Sequence, residues 1–276
     1  MRAPWMILTV RRRASGVRGL VIGTSRVGMP YYYRSRPPAQ VMTRPFLTAR
    51  WSNVVLLTFE APEELVRAQV APGVEPDRWN GKTHVSLVAL EMRDVRLRGW
   101  RILGFAAHPQ VNFRVYARHG AHPAVTFVRE LVPSRIIAAV GRLRYGEPFQ
   151  AARISARVVA GTDGVSAEYR FGLDAPRHRL VVTGSRDSAV PAASTFEHYL
   201  KERTYGVRAD RHGRPRAFRV EHPPWAIRKI VSVDYAVDFG TLYGPAWEFL
   251  NRSTPVSTIF AVGSDVSVYP PQMDRR

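Results

Sequence analysis

The chain has 276 residues, of which 45% are hydrophobic and 11% aromatic, and it contains no cysteine. This length and composition allow a large buried core and argue against wholesale disorder. The absence of cysteine excludes a disulfide framework, cysteine-ligated zinc, an iron–sulfur cluster and a cysteine nucleophile, and it fits a cytoplasmic protein. No apolar run approaches the roughly 20 residues of a membrane-spanning helix, so we expect a soluble protein without a membrane partner.

Positive charge dominates the composition, because 38 arginines and only three lysines outnumber 22 acidic residues and give a formal net charge of +19. Binding of nucleic acid through this basic surface is the alternative function that we retain. The shortage of lysine disfavours it, because nucleic-acid-binding proteins usually combine both basic residues. Salt-dependent binding to duplex DNA, measured with and without the arginine-rich N-terminal residues, would distinguish the two functions.

Residues 1–41 differ in composition from the rest of the chain. They contain eight arginines and no acidic residue, with an apolar patch at 5–10 that precedes the cluster Arg11-Arg12-Arg13. A signal peptide has its charges before its apolar stretch, whereas a transit peptide shares the arginine-rich, acid-free composition. Met42 directly precedes the first strand-like sequence. We interpret residues 1–41 as a disordered or mis-assigned N-terminal extension and residues 42–276 as a single β domain.

Apolar runs separated by turn residues predict many short strands and few helices. We predict strands over 51–59, 83–92, 110–117, 125–131, 151–160, 165–173, 179–186, 218–222, 232–237 and 257–269. Asn80-Gly81 is typical of a tight hairpin turn. Short helices are predicted over 61–71 and from the capping box at Ser194 to about residue 203. Residues 136–143 fit either a buried strand or a short helix.

Closely spaced strands without βαβ alternation indicate a mainly β fold with a few helices (α+β). The sequence favours a closed or sandwiched antiparallel sheet. We find no internal repeat and no composition break between residues 46 and 270, so one domain is expected.

Four segments, in this order over residues 44–270, make the chain similar to a known bacterial family. The segments are Asn80-Gly81 before an apolar strand, Asn112-x-Arg114-x-Tyr116, the arginine- and tyrosine-bearing stretch 142–148, and His222-Pro223-Pro224-Trp225. The chain resembles the YqjF-like group of uncharacterised proteins, a distant branch of the acetoacetate decarboxylase superfamily. The resemblance implies a closed, cone-like antiparallel β-barrel around a small-molecule cavity, and it implies no particular reaction.

Acetoacetate decarboxylases carry a Gly-Phe-Pro-Lys-Lys-Leu-type segment, in which one lysine forms a Schiff base with the keto acid. The best matching segment here runs from Val132 to residue 137, with Ser134 at the position of that lysine and Arg135 at the position of its neighbour. A hydroxyl group cannot form an imine, and arginine stays protonated. We expect the three lysines, Lys82, Lys201 and Lys229, to be solvated surface residues. The sequence therefore predicts a pocket without Schiff-base chemistry.

The candidate ligand-binding residues are Arg114, Tyr116, Glu130, Ser134, Arg135 and His222. Arg114 or Arg135, on or beside central strands, could hold a carboxylate, with Glu130 pairing one of them. The alternative is a structural Arg–Glu pair at a strand end.

His222 could act as a general base near neutral pH, because the following prolines fix its direction. The alternative is a stiff loop in which Trp225 caps the core. His119 and His122 flank a hairpin turn and have no third ligand, so we expect no metal site and no cofactor. The expected partner is a small-molecule ligand, which could be a carboxylate. The sequence leaves open a homo-oligomer, the catalytic residues, and whether the protein is an enzyme.

Overall fold

The structure, a computed structural model, describes residues 44–101, 105–162 and 164–273, together with two short strands nearer the N terminus. The chain divides into two units, Met1–Met42 and Thr43–Arg276. In the first unit, β1 (Ile22–Thr24) and β2 (Pro30–Tyr32) pair as antiparallel strands. The rest of the predicted N-terminal extension lies outside the described residues, so its disorder or mis-assignment stays a prediction.

The second unit consists mainly of strands with a few short helices, as the sequence predicts. Its strands are β3 (Leu47–Glu60), β4 (Glu75–Pro76), β5 (Arg78–Trp79), β6 (Lys82–Leu97), β7 (Trp100–Arg101), β8 (His108–His119), β9 (His122–Val132), β10 (Phe149–Ala151), β11 (Arg153–Gly161), β12 (Gly164–Gly172), β13 (His178–Ala189), β14 (Tyr205–Ala209), β15 (Pro215–Glu221), β16 (Ile227–Ala236), β17 (Ser257–Val268) and β18 (Gln272–Met273). Its helices are α1 (Glu63–Arg67), α2 (Arg135–Tyr145), α3 (Phe196–Lys201), α4 (Phe239–Tyr243) and a 3₁₀ helix (Pro245–Arg252).

The ambiguous segment 136–143 is helical and forms most of α2. Ser134 caps the N terminus of this helix, and Gly146 ends it in the left-handed region with a φ of 73°. Both residues favour helix termini, and this is why the helix is preferred over a strand here. In α3 the N-cap is Thr195, which accepts a hydrogen bond from the His198 amide at 3.3 Å. The predicted capping box began one residue too early.

Seven strands of the sheet form a ring of hydrogen-bonded neighbours, in the order β17, β3, β6, β8, β9, β14 and β15. The ring returns to its first strand because β15 also pairs with β17, through Val220↔Val268 and Glu221↔Ser267. The pairing of β14 with β9 is parallel, whereas the other pairings within the ring are antiparallel. From β17 the sheet continues through β16, β13 and β12 to β11.

Strand β8 shows that both faces of the ring are buried. Its residues Val111, Phe113 and Val115 pack in a first core with side chains of β12, β13, α4 and the 3₁₀ helix. Tyr116 packs in a second core on the opposite face, with Leu200 of α3 and with Trp225. Side chains alternate along a strand, so the other even-numbered residues of β8 share the face of Tyr116. We call this face the inner face of the ring.

Phe113 provides a test of the first core. It is fully buried, and its ring stacks on Tyr243 with 4.3 Å between the ring centroids. Phe113→Ala removes buried apolar surface and leaves a cavity, so we expect the free energy of unfolding to fall by about 3–5 kcal/mol in urea denaturation. Val159→Ala, at a site that is 48% exposed, should change it by less than about 0.5 kcal/mol. Equal losses in the two variants would contradict this core.

Candidate functional site

A small cavity of about 30 Å³ lies on the inner face, and we call it the Arg114 pocket. A cavity of this size holds about one water molecule or one small polar group. A larger ligand therefore requires the surrounding side chains to move. Its lining combines polar and aromatic side chains, among them Arg114, Lys201, Arg203, His222 and Trp225.

Arg114 is a buried arginine without a carboxylate partner among the described residues. It is 7% exposed, and its Nη2 donates a hydrogen bond to the Leu200 carbonyl oxygen at 3.2 Å. Its Nε is buried and has no hydrogen-bond partner. Burying a charge without a counter-ion costs free energy, because the lost hydration is not replaced. The inner face therefore presents an uncompensated positive charge and one free donor.

The other two cations of the pocket have acidic partners. The buried Lys201 Nζ contacts Glu202 Oε1, and Arg203 Nη1 donates a hydrogen bond to Asp77 Oδ2 at 2.5 Å. The prediction of a solvated Lys201 was wrong, because the end of α3 turns this side chain into the protein. Lys82 and Lys229 are exposed, as predicted.

His222 lies beside Arg114 at the pocket wall. Its side chain is 2% exposed and stacks on the Trp225 ring at 4.4 Å between centroids. Burial lowers the pKa of His222, because the imidazolium form is poorly hydrated there. A neutral imidazole can accept a proton, as the predicted general base requires. Trp225 is also buried and donates to Ser264 Oγ at 2.8 Å, so it caps the second core as the alternative interpretation predicted.

Tyr116 lies beneath the Arg114 guanidinium, whose central carbon is 5.7 Å from the centre of the Tyr116 ring. The Tyr116 hydroxyl is 2.6 Å from Ser86 Oγ, which is 2.7 Å from Thr58 Oγ1. These three buried hydroxyl groups satisfy one another. Tyr116 therefore supports Arg114 from below and does not line the pocket.

Two buried glutamates lie farther along the inner face. Glu130 accepts a hydrogen bond from Gln110 Nε2 at 2.8 Å. The predicted ion pair of Glu130 with Arg114 or Arg135 is absent from the described residues. Glu147 is 2% exposed, and neither of its carboxylate oxygens has a hydrogen-bond partner.

Strand β10 brings the two carboxyl groups towards each other, because its parallel pairing with β9 aligns Phe149 with Glu130. Burial raises the pKa of Glu147 to about 8. Burial, and then repulsion from Glu147, raises the pKa of Glu130 well above its usual value. Glu147 was not identified as a candidate from the sequence. Nothing in the sequence marks it except that it is an acidic residue in the short segment between α2 and β10.

Ser134 and Arg135 lie at the start of α2 and do not line the Arg114 pocket. Ser134 Oγ accepts hydrogen bonds from the amides of Ile136 and Ile137, at 3.2 and 3.4 Å. Arg135 is exposed and helical, whereas it was expected on or beside a strand. The structure thus brings together Arg114, Tyr116 and His222 and separates them from this pair.

No group of three or more histidine, aspartate or glutamate side chains is arranged to hold a metal ion in the described part of the chain. His119 and His122 flank the β8–β9 hairpin turn, as predicted. Over the same residues, no helix has the length and apolar character of a membrane span.

Glu147 should make the stability of the protein depend on pH. Between its unfolded pKa of about 4.3 and its folded pKa of about 8, the folded state binds more protons, so stability falls as pH rises. Glu147→Gln should weaken this dependence, to which Glu130 also contributes, and raise the melting temperature at pH 8.5 by roughly 2–8 °C, with less effect at pH 5. The exposed Glu64→Gln is the matched control. Parallel melting profiles of wild type and Glu147→Gln in calorimetry would refute this expectation.

The sequence matches the model of one protein family and no curated protein. The matching family is DUF2071, described as an uncharacterized conserved protein (COG2071), and the match spans residues 48–265. This range includes the first core, all of the second core except Val266 at its edge, and every residue of the Arg114 pocket.

Several solved structures share the fold at low sequence identity. The enduracididine biosynthesis enzyme MppR, complexed with pyruvate, is 15% identical over 85% of this chain and 93% of that chain, with a TM-score of 0.57. Acetoacetate decarboxylase from Legionella pneumophila is 12% identical over 88% and 93% of the two chains, with a TM-score of 0.56. An acetoacetate decarboxylase-like enzyme from Sphingomonas wittichii RW1 is 10% identical over 88% and 98%, with a TM-score of 0.55.

At identities of 10–15%, these similarities show the fold alone. The acetoacetate-decarboxylase-like fold expected from the sequence is confirmed, and the chain belongs to the DUF2071 family of uncharacterized conserved proteins.

Proposed function

We propose that the protein binds, or acts on, a small organic acid in the Arg114 pocket, without Schiff-base lysine chemistry. One observation carries this proposal: Arg114 is buried on the inner face, with an unpaired Nε and no carboxylate partner among the described residues. A ligand carboxylate would supply the missing charge and accept from the planar guanidinium fork.

Two further observations support this ligand class. His222 is neutral near pH 7 and lies at the same pocket, where it can accept a proton from a hydroxy acid or a keto acid. The structural neighbour MppR contains pyruvate, a small carboxylate. The likeness to MppR shows the fold alone, so its ligand only suggests which acids to test first.

We further propose that the ring is a closed β-barrel and that the Arg114 pocket is part of its interior. The pairing of β15 with β17 supports this, because it leaves no free edge between the seven strands. In this proposal Arg114 and His222 contact the ligand and Tyr116 holds Arg114 in place. Contacts of the ligand with Glu130, Ser134 or Arg135, a cytoplasmic location and a homo-oligomer stay predictions.

Small acids should stabilise the protein against heat. We expect pyruvate, lactate or a related acid at 10 mM to raise the melting temperature by about 2–4 °C, as binding to the folded state alone requires. Arg114→Lys keeps the charge but loses the planar fork, so the response should fall at least tenfold in apparent affinity.

Arg157→Gln, on the exposed surface of β11, is the matched control and should respond like the wild type. Circular dichroism of the Arg114→Lys variant verifies that it folds. The proposal is wrong if no acid shifts the melting temperature of the wild-type protein, or if Arg114→Lys responds as the wild type does.

Borohydride reduction in the presence of acetoacetate should trap no adduct. The Lys201 ammonium group contacts the Glu202 carboxylate, and an ammonium group has no lone pair with which to attack a ketone. Peptide mass mapping checks each lysine. A reduced adduct on Lys201, accompanied by release of carbon dioxide, would contradict the prediction that no imine forms. Lys82 serves as the exposed reference amine.

A further inference from the structure

A second cavity, of about 200 Å³, lies between α2 and the inner face of β3, β6 and β8, and we call it the α2 chamber. It has no lining residue in common with the Arg114 pocket. Most of its wall is aliphatic or aromatic, with contributions from Leu47, Met92, Val95, Ile137, Val140 and Phe149. Nothing in the proposed organic-acid site uses this space.

The polar groups in the wall of the chamber are uncharged near neutral pH. Burial lowers the pKa of His108 and raises that of Tyr145, so both side chains are neutral. Gln110 donates its amide to Glu130 and so is already paired. Among the described lining residues, none carries a full charge into the chamber. An ionised ligand would lose its hydration there without gaining a counter-ion.

One face of α2 forms the mouth of the chamber. Ile136, Ile137 and Val140 lie on this face, and Ile136 and Val140 are 64% and 37% exposed. Gly141 lets the helix approach closely, because a Cβ atom there would lie 2.3 Å from the Phe149 ring. The mouth therefore leaves large apolar side chains in water, and an apolar ligand would cover them.

Two polar atoms in the wall have no partner. His108 Nδ1 and the Tyr145 hydroxyl are buried, and neither has a hydrogen-bond partner. Buried polar groups usually find partners, so rotation of either side chain would let it hydrogen-bond a group that enters the chamber. A dry apolar cavity of about 150 Å³ suffices for benzene, so this one has room for a ring with a short substituent.

We propose that the α2 chamber binds an uncharged, mainly apolar molecule of about eight to ten non-hydrogen atoms. One hydrogen-bonding group of this ligand, such as a carbonyl or hydroxyl oxygen, meets Tyr145 or His108 after that side chain rotates towards the chamber. The remainder lies against the aliphatic side chains of α2 and β6. The chamber is thus a site separate from the Arg114 pocket. It prefers uncharged ligands, whereas the Arg114 pocket prefers anions.

Acetophenone and benzoate test this charge preference, because they match in size and differ in charge. Acetophenone should bind the wild-type protein saturably in ligand-observed NMR titrations at pH 7.5, and benzoate should not displace it. Ile137→Trp fills the chamber and should weaken acetophenone binding at least tenfold. Leu143→Trp, on the same helix at a position that is 85% exposed, is the matched control and should leave binding unchanged.

Intermolecular Overhauser contacts in the wild-type protein provide a second measurement, which does not depend on the folding of a variant. Contacts from acetophenone to the methyl groups of Met92 and Ile137 are expected. The proposal is overturned if acetophenone does not bind at millimolar concentration, if benzoate displaces it, or if these contacts are absent.

The two proposals can fail separately. Arg114→Lys should leave acetophenone binding intact while it weakens the response to small acids. Ile137→Trp should leave the response to acids intact while it blocks acetophenone.

Discussion

The pairing of β15 with β17 is the constraint on which the inner face depends. It joins the last strand of the ring to the first, and inner-face side chains such as Arg114 and Tyr116 are buried. Every polar group placed there must find a partner inside the protein or carry a free-energy cost. Lys201 and Arg203 find carboxylates, and Tyr116 finds the hydroxyl chain. Arg114 and Glu147 are left incompletely paired, so they mark the positions where the interior is suited to a ligand or to a proton.

Ser134, which the resemblance aligns with the decarboxylase lysine, has a structural role in this chain. Ser134 caps α2, and a hydroxyl group in this place stabilises the helix that closes the α2 chamber. Positive charge on the inner face comes instead from β8 and from the end of α3. Arginine keeps its proton under physiological conditions, so Arg114 is suited to holding an anion.

Much of the fold could be predicted from the sequence because local signals determine it. Asn80-Gly81 forms its hairpin turn with positive φ values of 49° and 81°, and the alternating pattern of β8 places its strand correctly. The residues of 136–143 fit both a strand and a helix, and only the caps on either side decide between them. Burial of Lys201 and the parallel contact of β14 depend on residues far apart in sequence, so periodicity does not reveal them. The sequence predicted Arg114 and His222 as separate candidates. It could not show that they line one pocket, because that pocket forms only when the seven strands pair into the ring.

The parallel contact between β14 and β9 has a consequence for motion. Only two residue pairs join these strands, and only two join β15 to β17. Both short contacts border the same hairpin, β14–β15, which carries Gly206, Phe218 and Val220 of the Arg114 pocket. Side-chain bonds from Thr126 to the Val207 carbonyl and from Arg208 to the Phe127 carbonyl reinforce one border. Local opening begins where the fewest backbone bonds must break. Transient detachment of this hairpin would therefore admit a ligand to the Arg114 pocket.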